Sequence, residues 1–234
     1  MLAIALGSVV ALRANQSRLR RRMKWLLIFG GAICVSIYGF RYFWLEHPIG
    51  SGPAGPDVAM ALFELPWSDQ DVLLVGLGDS ITDGLGAIPT SRSYFNRLVQ
   101  TTDGDELPGI CLSAVLPNLR HNNLARSGTT SLENLEYLVP ELSIQSEQTF
   151  GIVVMTTGGN DIIHGYGRQA PKEGAMYGAT HDKALQWIAN YRKRLKTTLD
   201  EVDSRFAGGC DIFVGNIYDP TDGVGNAVTA GLPR

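Results

Sequence analysis

Asp71-Val72-Leu73-Leu74-Val75-Gly76-Leu77 is a short apolar run rich in strand formers. It ends in the loop Gly78-Asp79-Ser80-Ile81-Thr82-Asp83-Gly84. A serine among small and acidic residues, just past the carboxyl end of a buried strand, sits where an open α/β sheet exposes a reactive group. The glycines allow a sharp turn and the close approach of another group. The plainer reading of this loop is a helix N-cap, in which Asp and Ser satisfy orphan N–H groups and do no chemistry.

Two further segments repeat the pattern. Leu119 to Ala125 reads as a strand, weakened by His121, Asn122 and Asn123, and leads into Arg126-Ser127-Gly128-Thr129-Thr130. Thr130-Ser131-Leu132-Glu133 has the spacing of a capping box. It predicts a helix with Leu132, Leu135, Leu138, Val139 and Leu142 on one face. Phe150 to Thr157 is a third apolar strand, closing in Gly158-Gly159-Asn160-Asp161. Each segment places small or polar residues at the carboxyl end of a strand, so all three can meet in one crevice.

In these blocks the chain resembles the SGNH hydrolases, the GDSL-type esterases and lipases. Gly78-Asp79-Ser80, Gly128 and Gly158-Gly159-Asn160-Asp161 follow that family's first three blocks in order, and the resemblance covers about residues 70–219. It implies a three-layer α/β/α fold, flavodoxin-like, with a mainly parallel sheet. It implies Ser80 as nucleophile. It further implies an oxyanion hole from the backbone N–H groups of Ser80 and Gly128 and the side-chain amide of Asn160, with no metal and no cofactor.

The chemistry suits these residue types. A serine hydroxyl is a weak nucleophile until a base takes its proton. The tetrahedral intermediate places charge on the former carbonyl oxygen, and fixed donors aimed at that oxygen stabilise it. A glycine lets its N–H reach the substrate with no Cβ in the way. An Asn amide donates without carrying charge, whereas an Asp would repel the oxyanion. The alternatives are an ordinary turn glycine at 128 and a capped turn at Asn160-Asp161.

One family block has no match. The resemblance implies a late Asp-x-x-His that supplies the base and its orienter, but the four histidines are His47, His121, His164 and His181. The expectation is a domain that lacks its last third after the strand Cys210 to Ile217 and the turn Tyr218 to Gly223. Asp161-Ile162-Ile163-His164 has the spacing but lies inside the third block. His164 is therefore expected at the surface or in the substrate pocket, His181 at a helix start, and His121 in a half-exposed strand.

Charge is unevenly distributed. Residues 1–46 carry seven basic side chains against the single acid Glu46, while the remainder holds 13 basic and 22 acidic groups. An acidic catalytic region without a basic stripe argues against nucleic acid as a partner. Trp25 to Phe40 is apolar without interruption, and Tyr42 to Leu45 extend it past Arg41. That is about 21 residues, enough to span a bilayer if Arg41 snorkels. Arg18 to Lys24 precede it, so the positive-inside rule puts the N-terminus in the cytoplasm and the domain outside. The rival is a cleaved signal peptide, starting at Met23, but no Ala-x-Ala-like site follows cleanly and Ile33 before Cys34 is too bulky for a lipoprotein. Met1 to Leu12 are too short to span. The expected organisation is a basic cytoplasmic segment (1–24), an anchor (25–45), a Pro/Gly linker (46–69) and an SGNH domain (70–234).

The three cysteines give no metal spacing, and Cys111 and Cys210 are expected as separate buried thiols. Gly165, Tyr166, Gly167, Gly174, Tyr177 and Gly178 suggest either a flap over the substrate or a plain surface excursion. Lys183 to Val202 reads as a helix with Arg192-Lys193-Arg194 on its solvated face. The expected activity is hydrolysis of a small-molecule, carbohydrate or lipid ester. A catalytically inactive remnant and an acyltransferase are the alternatives.

Overall fold

The computed structural model describes residues 2–42, 58–101, 107–167, 170, 173–176 and 179–217, with backbone alone at 2–20 and 164–167. The chain divides into two compact units, Met1–Ile49 and Gly50–Arg234.

In the second unit, four parallel strands form one sheet. They are β1 (Asp71–Gly78), β2 (Leu119–Asn123), β3 (Thr149–Thr156) and β4 (Cys210–Gly215), in the order β2-β1-β3-β4. Val72 to Gly78 are all buried, as a central strand covered on both faces must be. β2 and β4 are the outer strands and are mostly exposed. β2 ends two residues before the expected Ala125, because the Asn123 side chain turns back to accept from Ala125 N.

The first unit holds the helix α1 (Leu2–Phe40). In the second unit helices cover both faces of the sheet: α2 (Ser80–Asp83), α3 (Tyr94–Val99), α4 (Leu112–Val115), α5 (131–141), α6 (Gly159–Gly167) and α7 (His181–Asp203). Leu73, Val75 and Leu77 of β1 and Val153 and Met155 of β3 pack with Leu138, Val139, Leu142 and Val202. The alternate residues Leu74 and Val154 pack with Phe95 of α3, and Val72 packs with Val115 and Leu116. Period-two alternation thus feeds two apolar layers, each such side chain contributing roughly 1.5–3 kcal/mol by burial.

The expected capping box is present: Thr130 Oγ1 accepts from Glu133 N, and the Glu133 carboxylate accepts from Thr130 N. The expected helical face is not uniform. Leu138, Val139 and Leu142 are buried, but Leu132 is 44% exposed. The cause is a π-helical turn at Asn134–Leu138 between the α-turns Ser131–Glu133 and Val139–Glu141. An inserted residue rotates the first turn off the face that the later turns present to the sheet.

Residues 58–69, counted with the linker, are mostly exposed but are tied down at points: Met60–Phe63 forms a 3-10 turn, the Phe63 and Trp67 rings lie 5.2 Å apart, and Trp67 N donates to Val115 O. One other expectation needs correction. Arg192 and Lys193 are exposed on α7, but Arg194 is not: only 13% of its side chain is accessible. The early part of the linker and the turn at 218–223 lie outside the described residues.

α1 is one continuous helix, so residues 2–12 belong to the same element as the apolar stretch. Its segment Arg21–Phe40, with a mean hydropathy of 1.6, is long and apolar enough to cross a membrane. Of the expected 25–45 span, residues 43–45 lie outside the described residues. Cys111 is buried, Cys210 is partly buried, and both are free thiols.

Candidate active site

The strand order reverses between β1 and β3, and in such sheets the crevice opens beyond the carboxyl ends of those two strands. Ser80 follows β1 and Asn160 follows β3. Gly128 follows β2, whose last residue pairs with Gly76 near the same end.

The turn bearing Ser80 is held by buried polar contacts. Gly78 has φ +110°, and a Cβ built there would lie 1.8 Å from Thr156 O. Only glycine lets β1 end this close to β3. Asp79, 3% exposed, caps α2 by accepting from Ile81 N at 3.1 Å. Thr156 Oγ1 donates to the same Asp79 Oδ1 at 2.7 Å. That uses the only Thr156 hydroxyl proton, so in the Thr82–Thr156 contact at 2.8 Å Thr82 donates. Tyr94 OH, 2.6 Å from Thr82 Oγ1, must then donate in turn. Three hydroxyls thus point their protons toward one buried carboxylate. Burial holds the Tyr94 phenol above its ordinary pKa, which keeps it a donor. The capping reading of Asp79 is therefore correct, and the cap also sets Ser80, half-buried, at the head of α2.

The loop bearing Gly128 is tied from two sides. On one side the Asp83 carboxylate accepts from Ser127 N at 3.0 Å and from Ser127 Oγ. On the other, Asn160 Nδ2 donates to Thr129 O at 3.0 Å, and Asp161 accepts from Ser131 N at 2.7 Å and from Ser131 Oγ. Gly128 itself is exposed with φ +89°, and nothing lies within 4 Å of where a Cβ would sit. Beside it, Arg126, Ser127, Gly128, Thr129, Glu133, Tyr137 and Leu138 line a cavity of about 310 Å³.

Among the described residues, Asp161 is held by donors other than a histidine. Besides Ser131, its Oδ1 receives Trp187 Nε1 at 3.3 Å and an Arg194 Nη2 proton at 3.2 Å. The His164 side chain lies outside the described residues. His121 pairs with Leu74, well short of the carboxyl edge, and His181 starts α7 with an exposed side chain. His47 also lies outside the described residues, and of the two histidines whose side chains are described, neither His121 nor His181 stands as a base for Ser80. Thr82, Asp83, Tyr94, Ser127 and Thr156 escaped the sequence reading. Asp83 lay in plain view inside the first block, but nothing in sequence paired it with Ser127.

No curated protein matches this chain. A solved structure, protein YxiM from Bacillus subtilis, is similar over 62% of this chain and 32% of its own length, at 16% identity and a TM-score of 0.29. The chain thus spans about a third of YxiM. A family model described as GDSL-like Lipase/Acylhydrolase matches residues 77–231. That span starts at the end of β1, passes β4 and takes in all three blocks, so the chain belongs to the GDSL-like lipase/acylhydrolase family.

Proposed function

We propose that this chain is an ester hydrolase that works through an acyl intermediate on Ser80. Ser80 Oγ attacks the ester carbonyl carbon while a base takes its proton. The carbonyl oxygen becomes an oxyanion, which the N–H groups of Ser80 and Gly128 and the Asn160 amide stabilise. Collapse expels the alcohol, and water then attacks the acyl-serine by the same route.

The observation that carries this reading is the bond from Asn160 Nδ2 to Thr129 O. It aims the amide of the third block at the residue next to Gly128. An Asn amide has two N–H donors, and this bond uses one and fixes the plane, leaving the other for an oxyanion. The saturated carboxylate of Asp161 favours a second reading, a site with little turnover. Without a base, a triad enzyme loses about a million-fold in turnover.

A fluorophosphonate probe separates these readings on the full chain in detergent micelles. Covalent modification at Ser80, abolished in Ser80→Ala, supports the nucleophile. Turnover of p-nitrophenyl acetate should be feeble. Robust turnover lost in His164→Ala would make His164 the base, and robust turnover kept in Ser80→Ala would remove the nucleophile assignment.

We further propose that α1 anchors the protein, with the N-terminus cytoplasmic and the catalytic unit outside. The apolar stretch Arg21–Phe40 and its basic leading flank support this.

A further inference from the structure

Arg194 joins four separate pieces of chain. It projects from α7, and its Nε donates to Ser131 Oγ at 2.8 Å. Its Nη2 donates to Asp161 Oδ1 at 3.2 Å, and Nη1 and Nη2 hold the Glu173 carboxylate as a fork at 2.9 Å each. Asn190, one turn earlier, also donates to Glu173 at 2.8 Å. The guanidinium and the Asp161 carboxylate are both nearly buried, with 13% and 7% of their side chains accessible. Glu173 has φ +60°, a left-handed conformation that is unfavourable for a non-glycine residue. These bonds hold it there.

The placement of this cluster matters more than its strength. Ser131 is three residues after Gly128, and Asp161 is next to Asn160. Asp161 also grips Ser131 directly, so the two loops meet at a contact that Arg194 closes from behind. We propose that Arg194 is a positioning residue: it locks the Gly128 loop, the Asn160 turn and the 173–176 segment into one arrangement. This inference rests on the roles given above to Gly128 and Asn160. Only a planar fork can reach Ser131, Asp161 and Glu173 together, and a lysine ammonium cannot.

Hydrogen exchange by mass spectrometry on the full chain in detergent micelles tests this. Arg194→Lys should raise exchange of 127–131 and 173–176 together by about tenfold or more, leaving β1 and β3 unchanged. Fluorophosphonate labelling of Ser80 should slow by about ten- to a hundredfold, as misplaced donors cost in other sites. Ser131→Ala removes the oxygen shared by Arg194 and Asp161 and should loosen 127–131 while leaving 173–176 protected. If Arg194→Lys does not fold, this second variant decides. Loosening of 173–176 without 127–131 in Arg194→Lys, a uniform rise across the whole unit, or unchanged 127–131 exchange in Ser131→Ala overturns the proposal. Failure of wild type to label at Ser80, with the exchange pattern as expected, sinks the esterase reading alone.

Discussion

At the scale of single residues, polar side chains act here through what they fasten. Asp79 is ordered by Ile81, by Thr156 and by the hydroxyls behind Thr156, and Ser80 inherits its position. Asn160 differs, because the reading given to it needs a donor. Replacing it with Asp keeps the shape and puts a negative charge beside the oxyanion. We expect Asn160→Asp to slow phosphonate labelling of Ser80 by about a hundred- to a thousandfold, the range for loss of one oxyanion donor. An unchanged rate would remove Asn160 from the site. Cys210 gives a chemical check on the fold. Desolvation, with Asp203 beside it, pushes its thiol up to about 11. At about pH 8 almost none is thiolate, so iodoacetamide should alkylate it far more slowly than free cysteine. Rapid alkylation would mean β4 does not pack as described. Arg194 shows what sequence hides at this scale. In a run of three basic residues nothing marks which one faces inward, since its partners Ser131, Asp161 and Glu173 are far away along the chain.

At the scale of elements, strands were legible and the polar turns less so. All four strands lie within one or two residues of the expected bounds, because apolar runs between glycines and polar clusters leave little latitude. The capping box was legible too, as its logic is local. The π-turn in α5 was not, since a 3.6-residue period cannot register one inserted residue, and Leu132 was misplaced for that reason. Gly78 tests the seam between strands. Gly78→Ala brings both a left-handed φ and a clash with Thr156 O, so it should cost about 2–5 kcal/mol in chemical denaturation. Gly128→Ala has the φ but open space, so it should cost only about 1–2 kcal/mol. Equal costs would contradict the packing at the β1–β3 seam. The opposite edge of the sheet carries a pH signature. Hydrogen bonds from Arg120 and then Thr149 hold Asp71 down to about 2. Its folded pKa is below its unfolded one, so its contribution is complete above the ordinary carboxylate pKa and is lost as pH falls through about 2. Melting temperatures of wild type and Asp71→Asn should therefore differ most near about pH 5 and converge toward about pH 2. A gap that persists at the acid end would mean that Asp71 acts by shape rather than charge.

At the scale of the whole molecule, the second unit is acidic, while residues 1–46 are basic and include a long apolar stretch. Within α1 the arginines and Lys24 follow the short apolar run Leu2 to Leu12 and immediately precede the longer apolar stretch, which closes at Phe40. Side chains such as Leu26, Leu27, Phe29 and Val35 are each about two-thirds or more exposed on this helix. Water is a poor solvent for a face of that size, and a bilayer is a good one. A helix of 20 residues rises about 30 Å, which matches the hydrocarbon core. The anchored reading therefore expects the full chain to stay in the membrane pellet after alkaline carbonate, which strips proteins held only by charge. The same length and composition also suit a signal sequence, and the two readings part at one measurement. The N-terminal sequence of the mature protein should lie ahead of the apolar stretch Arg21–Phe40, with α1 still attached. A soluble form beginning after residue 45 would mean that α1 is removed and the catalytic unit released.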